Sequence, residues 1–239
     1  MKIALIGYGK MGKAIEEIAM QKGHSIVLKI DINNTADLTA KNLTNADVAI
    51  EFTGPNSAVN NILKCIEYGV PVVSGSTGWL EEWDKVAKSC TDHNATLIYA
   101  SNYSIGVNLF FEVNKLLALI MNDYPEYEVM LKEIHHTQKK DTPSGTAITL
   151  AEQVLNNLKR KDKWVNEAQI ANSSELAILS ERIDPAPGTH HIKYSSTVDD
   201  IEIIHTAHNR IGFAGGAIKA AEFAVRKKGI FGMKEVLGL

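Results

Sequence analysis

Short apolar runs alternate with helix-like patterns through the first hundred residues of the chain. The runs predict strands, and the segments between them repeat apolar residues every three or four positions, as one face of a helix does. Residues 33–45 are polar and poorly patterned, so we expect a connection there with at most a short helix. Successive strands begin about twenty to twenty-five residues apart, which is typical of β-α-β units in a parallel sheet. The predicted strands are 2–6, 25–30, 48–52, 71–74 and 96–100, and the predicted helices are 11–22, 57–67 and 80–92.

The pattern changes near Ser104 to a mixed order of helices and strands. Val198-Asp199-Asp200 is typical of a hairpin turn between two strands. The predicted elements are a helix at 109–121, a strand at 127–134, a helix at 144–161, strands at 175–182, 190–196 and 201–207, and a helix at 213–228. We expect the last helix to pack on the first part of the chain. The pattern therefore predicts the α/β class, with a parallel-sheet domain of residues 1–104 and 211–239 and an α+β domain of residues 105–210.

Composition and charge narrow the class of partner. Hydrophobic residues make up 45% of the chain and charged residues 22%, which is ordinary for a folded domain. The net charge of −3 gives no electrostatic reason to expect nucleic acid or an anionic membrane surface. No stretch approaches the ~18 apolar residues of a membrane span. Cys65 and Cys90 have neither disulfide nor metal spacing. We therefore expect a cytoplasmic protein that acts on a small molecule.

A glycine fingerprint follows the first predicted strand and opens the first predicted helix. Its residues are Gly7, Tyr8, Gly9, Lys10, Met11 and Gly12. In that position the glycines permit a tight turn, a close approach of the backbone to a pyrophosphate, and close helix–strand packing. Asp31 ends the second strand, where a carboxylate accepts hydrogen bonds from ribose hydroxyls and repels a 2′-phosphate. The first domain is therefore predicted to be a Rossmann-type dinucleotide-binding domain that favours NADH, while Lys10 leaves NADPH open.

Two later strand ends are predicted to line the same crevice. Phe52 and Thr53 follow one strand, and Gly75, Ser76 and Thr77 follow the next. The carboxyl ends of the strands line the ligand crevice in a doubly wound sheet. We therefore expect these residues to form part of the cofactor wall.

The segment from Glu133 to Ala147 combines proton-transfer groups with an anion site. His135 and His136 titrate near neutral pH, and Lys139 and Lys140 carry positive charge. Ser144, Gly145 and Thr146 begin a predicted helix, whose first N–H groups attract an anion. This combination suits a small carboxylated substrate that exchanges protons. Adjacent histidines at a strand end point to opposite sides, so either one alone could be structural.

These motifs together resemble the 4-hydroxy-tetrahydrodipicolinate reductase (dihydrodipicolinate reductase) family. The matching segments are the glycine fingerprint, 75–78, 101–108, 133–147, and the tail around 205–217 with Arg210. The resemblance implies reduction of a cyclic dicarboxylate by NADH or NADPH in lysine and diaminopimelate biosynthesis. It implies that His135 and Lys139 transfer protons and that His136, Lys139, Ser144, Gly145 and Thr146 hold the substrate. It also implies that Ala100, Ser101, Asn102 and Tyr103 contact the cofactor, and that the α+β domain binds substrate and assembles a homotetramer.

Three alternatives remain open. A zinc site built from His135, His136, His190, His191, His205 and His208 is disfavoured, because no His-x-x-x-His helix or cysteine pair supports it, and we predict no metal. A dehydrogenase for another imine, or a nucleotide sensor without catalysis, has the same nucleotide-binding half. The chain departs from the family in its tight Gly-x-Gly turn, in Lys10 where arginine is common, and in Thr142 where alanine is common. The first two leave the cofactor preference open.

Overall fold

The computed structural model describes residues 1–167, 172–209 and 211–239. The chain divides into two compact units, Met1–Ile105 with Ile211–Leu239, and Gly106–Arg210. Arg210, which we included in the tail motif, lies outside the described residues. Among the residues described, no helix is long and apolar enough to cross a membrane.

The first unit contains a six-stranded sheet in which every pairing is parallel. Its strands are β1 (Lys2–Ile6), β2 (Ser25–Ile30), β3 (Val48–Glu51), β4 (Val72–Ser74), β5 (Thr96–Tyr99) and β11 (Gly229–Phe231). The strand order is β11-β5-β4-β3-β1-β2. The chain therefore turns to opposite sides of β1 when it forms β2 and β3, and the carboxyl ends of β1 and β3 lie side by side. In this kind of sheet that point is the usual ligand crevice.

Helices cover both faces of this sheet. They are α1 (Lys10–Gln21), α2 (Ala40–Leu43), α3 (Pro55–Glu67), α4 (Trp83–Asp92), α7 (Ile211–Ala224) and α8 (Met233–Leu237). Ala4 and Ile6 of β1 pack in the core that includes α3 and α4, whereas Ile3 and Leu5 pack in the core that includes α1 and α7. Strands β1, β3 and β4 are thus buried on both faces and appear in the sequence as continuous apolar runs, whereas the edge strand β2 alternates between exposed and less exposed residues.

The second unit contains a mixed five-stranded sheet with the order β10-β9-β6-β8-β7. Its elements are α5 (Ile105–Met121), β6 (Glu128–His135), α6 (Gly145–Asn157), β7 (Lys163–Val165), β8 (Glu175–Arg182), β9 (Gly188–Ser195) and β10 (Asp200–Ala207). Strand β6 pairs parallel with β8 and antiparallel with β9. Apolar residues of β6, β8 and β9 form one core with α5 and α6. The Rossmann-like parallel sheet and the mixed-sheet unit confirm the predicted fold class.

Several predicted boundaries are wrong. Helix α6 ends at Asn157 and not at residue 161, because Leu158 adopts an extended conformation. Lys161, placed in that helix, is instead buried and donates to the carbonyl oxygens of Ser173 and Glu175. The last long helix covers Ile211–Ala224, not 213–228. Strands β7 and β11 and helix α8 were not predicted, because elements of three to five residues are too short for periodicity to detect.

Candidate functional site

The glycine turn after β1 leaves open space in front of the first helix. Gly7 has a φ of +97°, and a β carbon there would lie 2.0 Å from the carbonyl oxygen of Phe52. A β carbon on Gly12 would lie 2.5 Å from the carbonyl oxygen of Gly7. By contrast, apart from its neighbours in the chain, no described residue has an atom within 4 Å of a β carbon built on Gly9, the N-cap of α1. The first N–H groups of α1 therefore face a space that suits a phosphate group.

Asp31 lies at the end of β2, where its side chain is held in a turn. Its Oδ1 accepts a hydrogen bond of 2.7 Å from the N–H of Asn33. Nearby, the Lys29 ammonium lies 2.7 Å from a carboxylate oxygen of Glu16 and 4.7 Å from the centre of the Tyr8 ring. Glu16 thus pairs with Lys29 of the same strand, while the Asp31 carboxylate is held by the backbone of the turn.

A buried carboxylate that sequence reasoning missed joins the ends of β3 and β4. Glu51 is fully buried and accepts hydrogen bonds from the Ser74 hydroxyl at 2.7 Å and the Ser76 hydroxyl at 2.8 Å. It also accepts from the N–H of Thr53 at 3.0 Å and from the Thr53 hydroxyl. Because these bonds fix both loops, Glu51 positions Thr53 and Ser76. The only feature of the sequence that could have indicated this role is the position of Glu51 at the end of an apolar strand.

The other predicted wall residues lie at the same edge of the sheet. The rings of Phe52 and Tyr103 are 5.5 Å apart, and the Tyr103 hydroxyl donates to the carbonyl oxygen of Ser74 at 2.8 Å. A β carbon on Gly75 would lie 2.1 Å from the Phe52 ring, so only glycine fits there. Ala100, Ser101 and Asn102 follow β5, and the Asn102 side chain accepts from the N–H of Ser104 at 2.9 Å. Thr77 and Lys10 are exposed.

In the second unit, the alternation of β6 places two chemically active residues on a buried face. Val129 and Leu131 point into the core, and Glu133 and His135 continue the same face toward the carboxyl end of the strand. His136 follows the strand and is half-buried. The predicted strand ended one residue earlier, so the structure moves His135 from the loop into the sheet.

The Glu133 carboxylate is the centre of a buried network. It accepts hydrogen bonds from the N–H of Ser144 at 3.1 and 3.2 Å and forms an ion pair with Arg182 at 3.2 Å. The Nδ1 atom of His135 lies 3.3 Å from Glu133 Oε2, and Nε2 of His190 lies 3.8 Å from the same oxygen. The His135 contact lacks hydrogen-bond alignment, and Nδ1 has no other hydrogen-bond partner among the described residues.

Sheet register explains why these residues meet. Strand β6 sets His135 opposite Arg182 of β8, and Glu133 opposite His190 of β9. The rings of His135 and His190 are 5.1 Å apart and nearly perpendicular. Sequence reasoning assigned no role to Glu133 or Arg182, since the pairing of three distant segments leaves no local pattern.

The network determines which of the buried groups are charged. Burial raises the pKa of Glu133, but its close contacts with His135, Ser144 and Ser180 outweigh burial and hold that pKa well below its usual range. Burial, followed by the nearby charge of His135, lowers the pKa of His190 to about 3. At neutral pH Glu133 is therefore ionised and His190 is neutral.

The loop after β6 brings a lysine to the start of α6. The Lys139 ammonium contacts both carboxylate oxygens of Asp141, at 2.8 and 2.9 Å. Ser144 is the N-cap of α6, and its hydroxyl accepts from the N–H of Ala147 at 3.2 Å. Gly145 is exposed and Thr146 half-buried at this helix end. The α6 start is thus positively polarised, and the Lys139–Asp141 ion pair lies in the loop that leads to it.

Glu133, His135 and His190 also have the spacing of a metal site, since their ligand atoms lie within 4.8 Å of one another. A cation there would meet the guanidinium of Arg182, which is already paired with Glu133. The N–H of Ser144 occupies the same carboxylate, and the Ser144 hydroxyl lies 3.2 Å from His190 Nε2. These contacts fit a hydrogen-bonded acid–base network better than a metal centre.

Comparison with known proteins gives a consistent family. The family models "Dihydrodipicolinate reductase, N-terminus" and "Dihydrodipicolinate reductase, C-terminus" match residues 1–103 and 106–237. The chain is 47% identical over 239 residues to the 4-hydroxy-tetrahydrodipicolinate reductase of Christiangramia forsetii, covering 99% of this chain and 98% of the relative. It is 35% identical over 241 residues to the reductase of the same name from Methanosarcina acetivorans, covering 99% and 89%.

A solved structure agrees at the level of the fold. The dipicolinate-bound dihydrodipicolinate reductase from Paenisporosarcina sp. TG-14 has a TM-score of 0.79 with 22% identity, and the match covers 98% of each chain. The predicted family is thereby confirmed over both units. This chain belongs to the dihydrodipicolinate reductase family.

Proposed function

We propose that this protein reduces 4-hydroxy-tetrahydrodipicolinate to tetrahydrodipicolinate, with uptake of a hydride and a proton and release of water, in lysine and diaminopimelate biosynthesis. The names of the close relatives support this proposal. The observation in this chain that carries it is the grouping of His135, Lys139 and the α6 start around the ionised Glu133.

The first unit is proposed to bind the nicotinamide dinucleotide. A bound cofactor of this class supplies the hydride. The turn from Gly7 to Gly12 would receive the pyrophosphate, because the space in front of Gly9 is open and α1 begins there. Asp31 would accept hydrogen bonds from the adenosine ribose, which favours NADH over NADPH. The nicotinamide end would lie against loops that Glu51 fixes, with these wall residues: Phe52, Thr53, Gly75, Ser76, Thr77, Ala100, Ser101, Asn102 and Tyr103.

The second unit is proposed to bind the dicarboxylate and to supply the proton. Lys139 would pair with one carboxylate, and the N–H groups of Gly145 and Thr146 at the α6 start would receive the other, with His136 beside them. His135 would donate the proton that quenches the negative charge left on the ring by the hydride. Lys139 would also stabilise that charge while it develops.

Asp141 supports the proposed carboxylate site. Burial raises the pKa of Asp141, but hydrogen bonding to Lys139 and to the N–H of Gly145 outweighs it, so the pKa is lowered overall. Lys139 and the first turn of α6 therefore stabilise a carboxylate that reaches them. A substrate carboxylate would use the same two donors.

The test is NADH oxidation with freshly prepared hydroxy-tetrahydrodipicolinate. We expect turnover by the unmodified protein and a loss of roughly 100-fold or more in kcat for His135→Ala, with unchanged NADH affinity. His191→Ala is the matched control, because His191 lies on the next strand and contacts Glu202 at 3.3 Å instead of Glu133. Turnover of open-chain imino acids alone would favour another imine reductase. Tight NADH binding without turnover of either substrate would favour a sensor.

We also propose that the second unit assembles a homotetramer. Strand β10 is an edge strand of eight residues that, within the described chain, pairs only with β9. Ile204 on this strand is 57% exposed, which is unfavourable for an edge strand facing water. Light scattering should give four times the chain mass, and Ile204→Lys should give a smaller species. A monomeric unmodified protein would contradict this assembly.

A further inference from the structure

Glu133 is a charged residue at a position where the strand pattern calls for an apolar one. It is fully buried, and the two preceding residues on the same face of β6 are Val129 and Leu131. An ionised carboxylate in such a place is strongly destabilising unless charged and hydrogen-bonding groups compensate it. The groups that compensate the buried charge therefore identify the parts of the unit that Glu133 holds together.

The partners of Glu133 come from three other parts of the second unit as well as from its own strand. Ser144 lies before α6, Arg182 ends β8, and His190 lies on β9, while His135 is two residues further along β6. One carboxylate thus connects the proposed proton donor to the first turn of the proposed carboxylate site. A displacement of Glu133 would move both at once.

Arg182 extends this connection into the loop that carries Lys139. Its Nη2 atom contacts Glu133 at 3.2 Å and also donates to the carbonyl oxygen of Asp141 and the hydroxyl of Thr142, both at 2.7 Å. The loop that presents Lys139 and Asp141 is therefore anchored to the same buried acid.

The two nitrogens of His135 have different surroundings. Nδ1 is buried beside Glu133 Oε2, whereas Nε2 lies next to Gly188, where a β carbon would come within 3.1 Å. The carboxylate favours a proton on the nitrogen beside it, Nδ1, as a buried acid does beside a catalytic histidine. A side chain at position 188 would therefore crowd Nε2.

The charged and titratable groups that surround His135 come from several elements. Glu133 on β6 and His190 on β9 lie against its ring, Arg182 lies opposite it on β8, and Lys139 and His205 act on the neighbouring His190. His190 is neutral, Lys139 is paired with Asp141, and burial followed by His208 lowers the pKa of His205. Glu133 is thus the carboxylate that contacts the ring, with its Oε2 atom 3.3 Å from Nδ1.

We infer that Glu133 is a positioning residue, which holds His135 through Nδ1 so that Nε2 exchanges the proton, and which fixes the α6 start relative to it. The inference rests on the proposed role of His135. Under this inference Glu133 does not contact the substrate. It acts through His135, whose proton affinity and ring orientation it determines.

The test is to titrate the His135 ring in the Glu133→Gln variant and to monitor the titration by NMR. The His135 signal is assigned as the one that is absent from the His135→Gln variant. Glutamine keeps the size of the side chain and an oxygen that accepts from Ser144, but it removes the charge. We expect the His135 pKa to fall by about one unit or more, and the alkaline limb of the kcat profile to move to lower pH by the same amount. At neutral pH kcat should fall roughly tenfold or more with unchanged NADH affinity.

Glu181→Gln is the matched control, because Glu181 is on the neighbouring strand and pairs with Lys132 at 2.8 Å. It should leave the His135 titration and the kcat profile unchanged. If Glu133→Gln does not fold, Glu133→Asp keeps the charge at a greater distance and should give a smaller shift in the same direction.

An unchanged His135 pKa in a folded Glu133 variant would overturn the inference, even if activity were lost. The titration needs no substrate. Absence of turnover by the unmodified protein would therefore refute the proposed function alone, and the two failures can be distinguished.

Discussion

His190 should make the second unit less stable in mild acid. Burial, and then the charge of His135, hold its pKa at about 3, whereas an unfolded histidine titrates near ~6.5. Between these values the unfolded chain binds a proton that the folded chain excludes. The free energy of unfolding must therefore rise with pH through this window and fall as the pH is lowered.

The magnitude follows from the two pKa values. Lowering the pH from 7 to 5 should reduce the free energy of unfolding by about 2 kcal/mol through His190. Burial likewise lowers the pKa of His205, with a smaller contribution from His208, so His205 acts in the same direction. Glu133, whose pKa is depressed, contributes stability that is lost only at more acidic pH, below its unfolded pKa of about 4.3.

The assay is urea denaturation at several pH values and one fixed protein concentration. The chain has three tryptophans, and Trp164 is the one in the second unit. A background with Trp79→Phe and Trp83→Phe therefore leaves a reporter of that unit. In this background, the change in the free energy of unfolding between pH 5 and pH 7 should be about 2 kcal/mol smaller in the His190→Gln variant. His93→Gln, at the C-cap of α4 in the first unit, controls for loss of a histidine in general. An equal slope with and without His190 would refute the reasoning.

Three further predictions concern the proposed ligand sites. Gly7→Ala should destabilise the first unit by roughly 2 kcal/mol or more and abolish NADH binding. Position 7 has a positive φ, and the added β carbon would lie 2.0 Å from the Phe52 carbonyl oxygen. Denaturation measures the loss of stability, and NADH fluorescence measures the loss of binding. Asp31→Ala should bring the ratio of the KM for NADPH to the KM for NADH closer to one. An unchanged ratio would contradict the role of Asp31. Ser144→Ala should remove the α6 cap at a loss of about 1 kcal/mol, and raise KM for the dicarboxylate more than it lowers kcat.

The first unit was predictable because its signals are local. The inner strands β1, β3 and β4 of its parallel sheet are buried on both faces, so they appear as compact apolar runs. Gly7 and Gly12 are required by contacts within the turn itself or with the adjacent strand. A fingerprint of six residues therefore contains most of the information that fixes this end of the sheet.

Elements that depend on a sheet edge were not predictable. Strand β11 has three residues and follows two lysines, and it exists because β5 offers an unpaired edge. Gly229, the first residue of β11, has a φ of +118°, and helix α7 has already ended at Ala224. Propensity over such a short segment is weaker than the hydrogen bonds that the edge provides.

The candidate proton-transfer site also contains both residues that are close in sequence and residues that only the sheet brings together. His135, Lys139 and Ser144 are close in sequence, so their grouping could be predicted from a single motif. Arg182 is 49 residues from Glu133, and only the parallel register of β6 and β8 brings them together. Periodicity identifies which face of a strand is buried, but it does not give the register between strands.

The charges of the site therefore depend on residues outside the motif that names it. Glu133 stays ionised in the core because β8 supplies Arg182 and the turn before α6 supplies the Ser144 N–H. His190 stays neutral because β9 buries it beside His135. If either strand shifted by one residue, its side chains would point to the other face, and the same motif would lose its ionised acid. The sheet register of the second unit is thus part of the proton-transfer chemistry as well as of the fold.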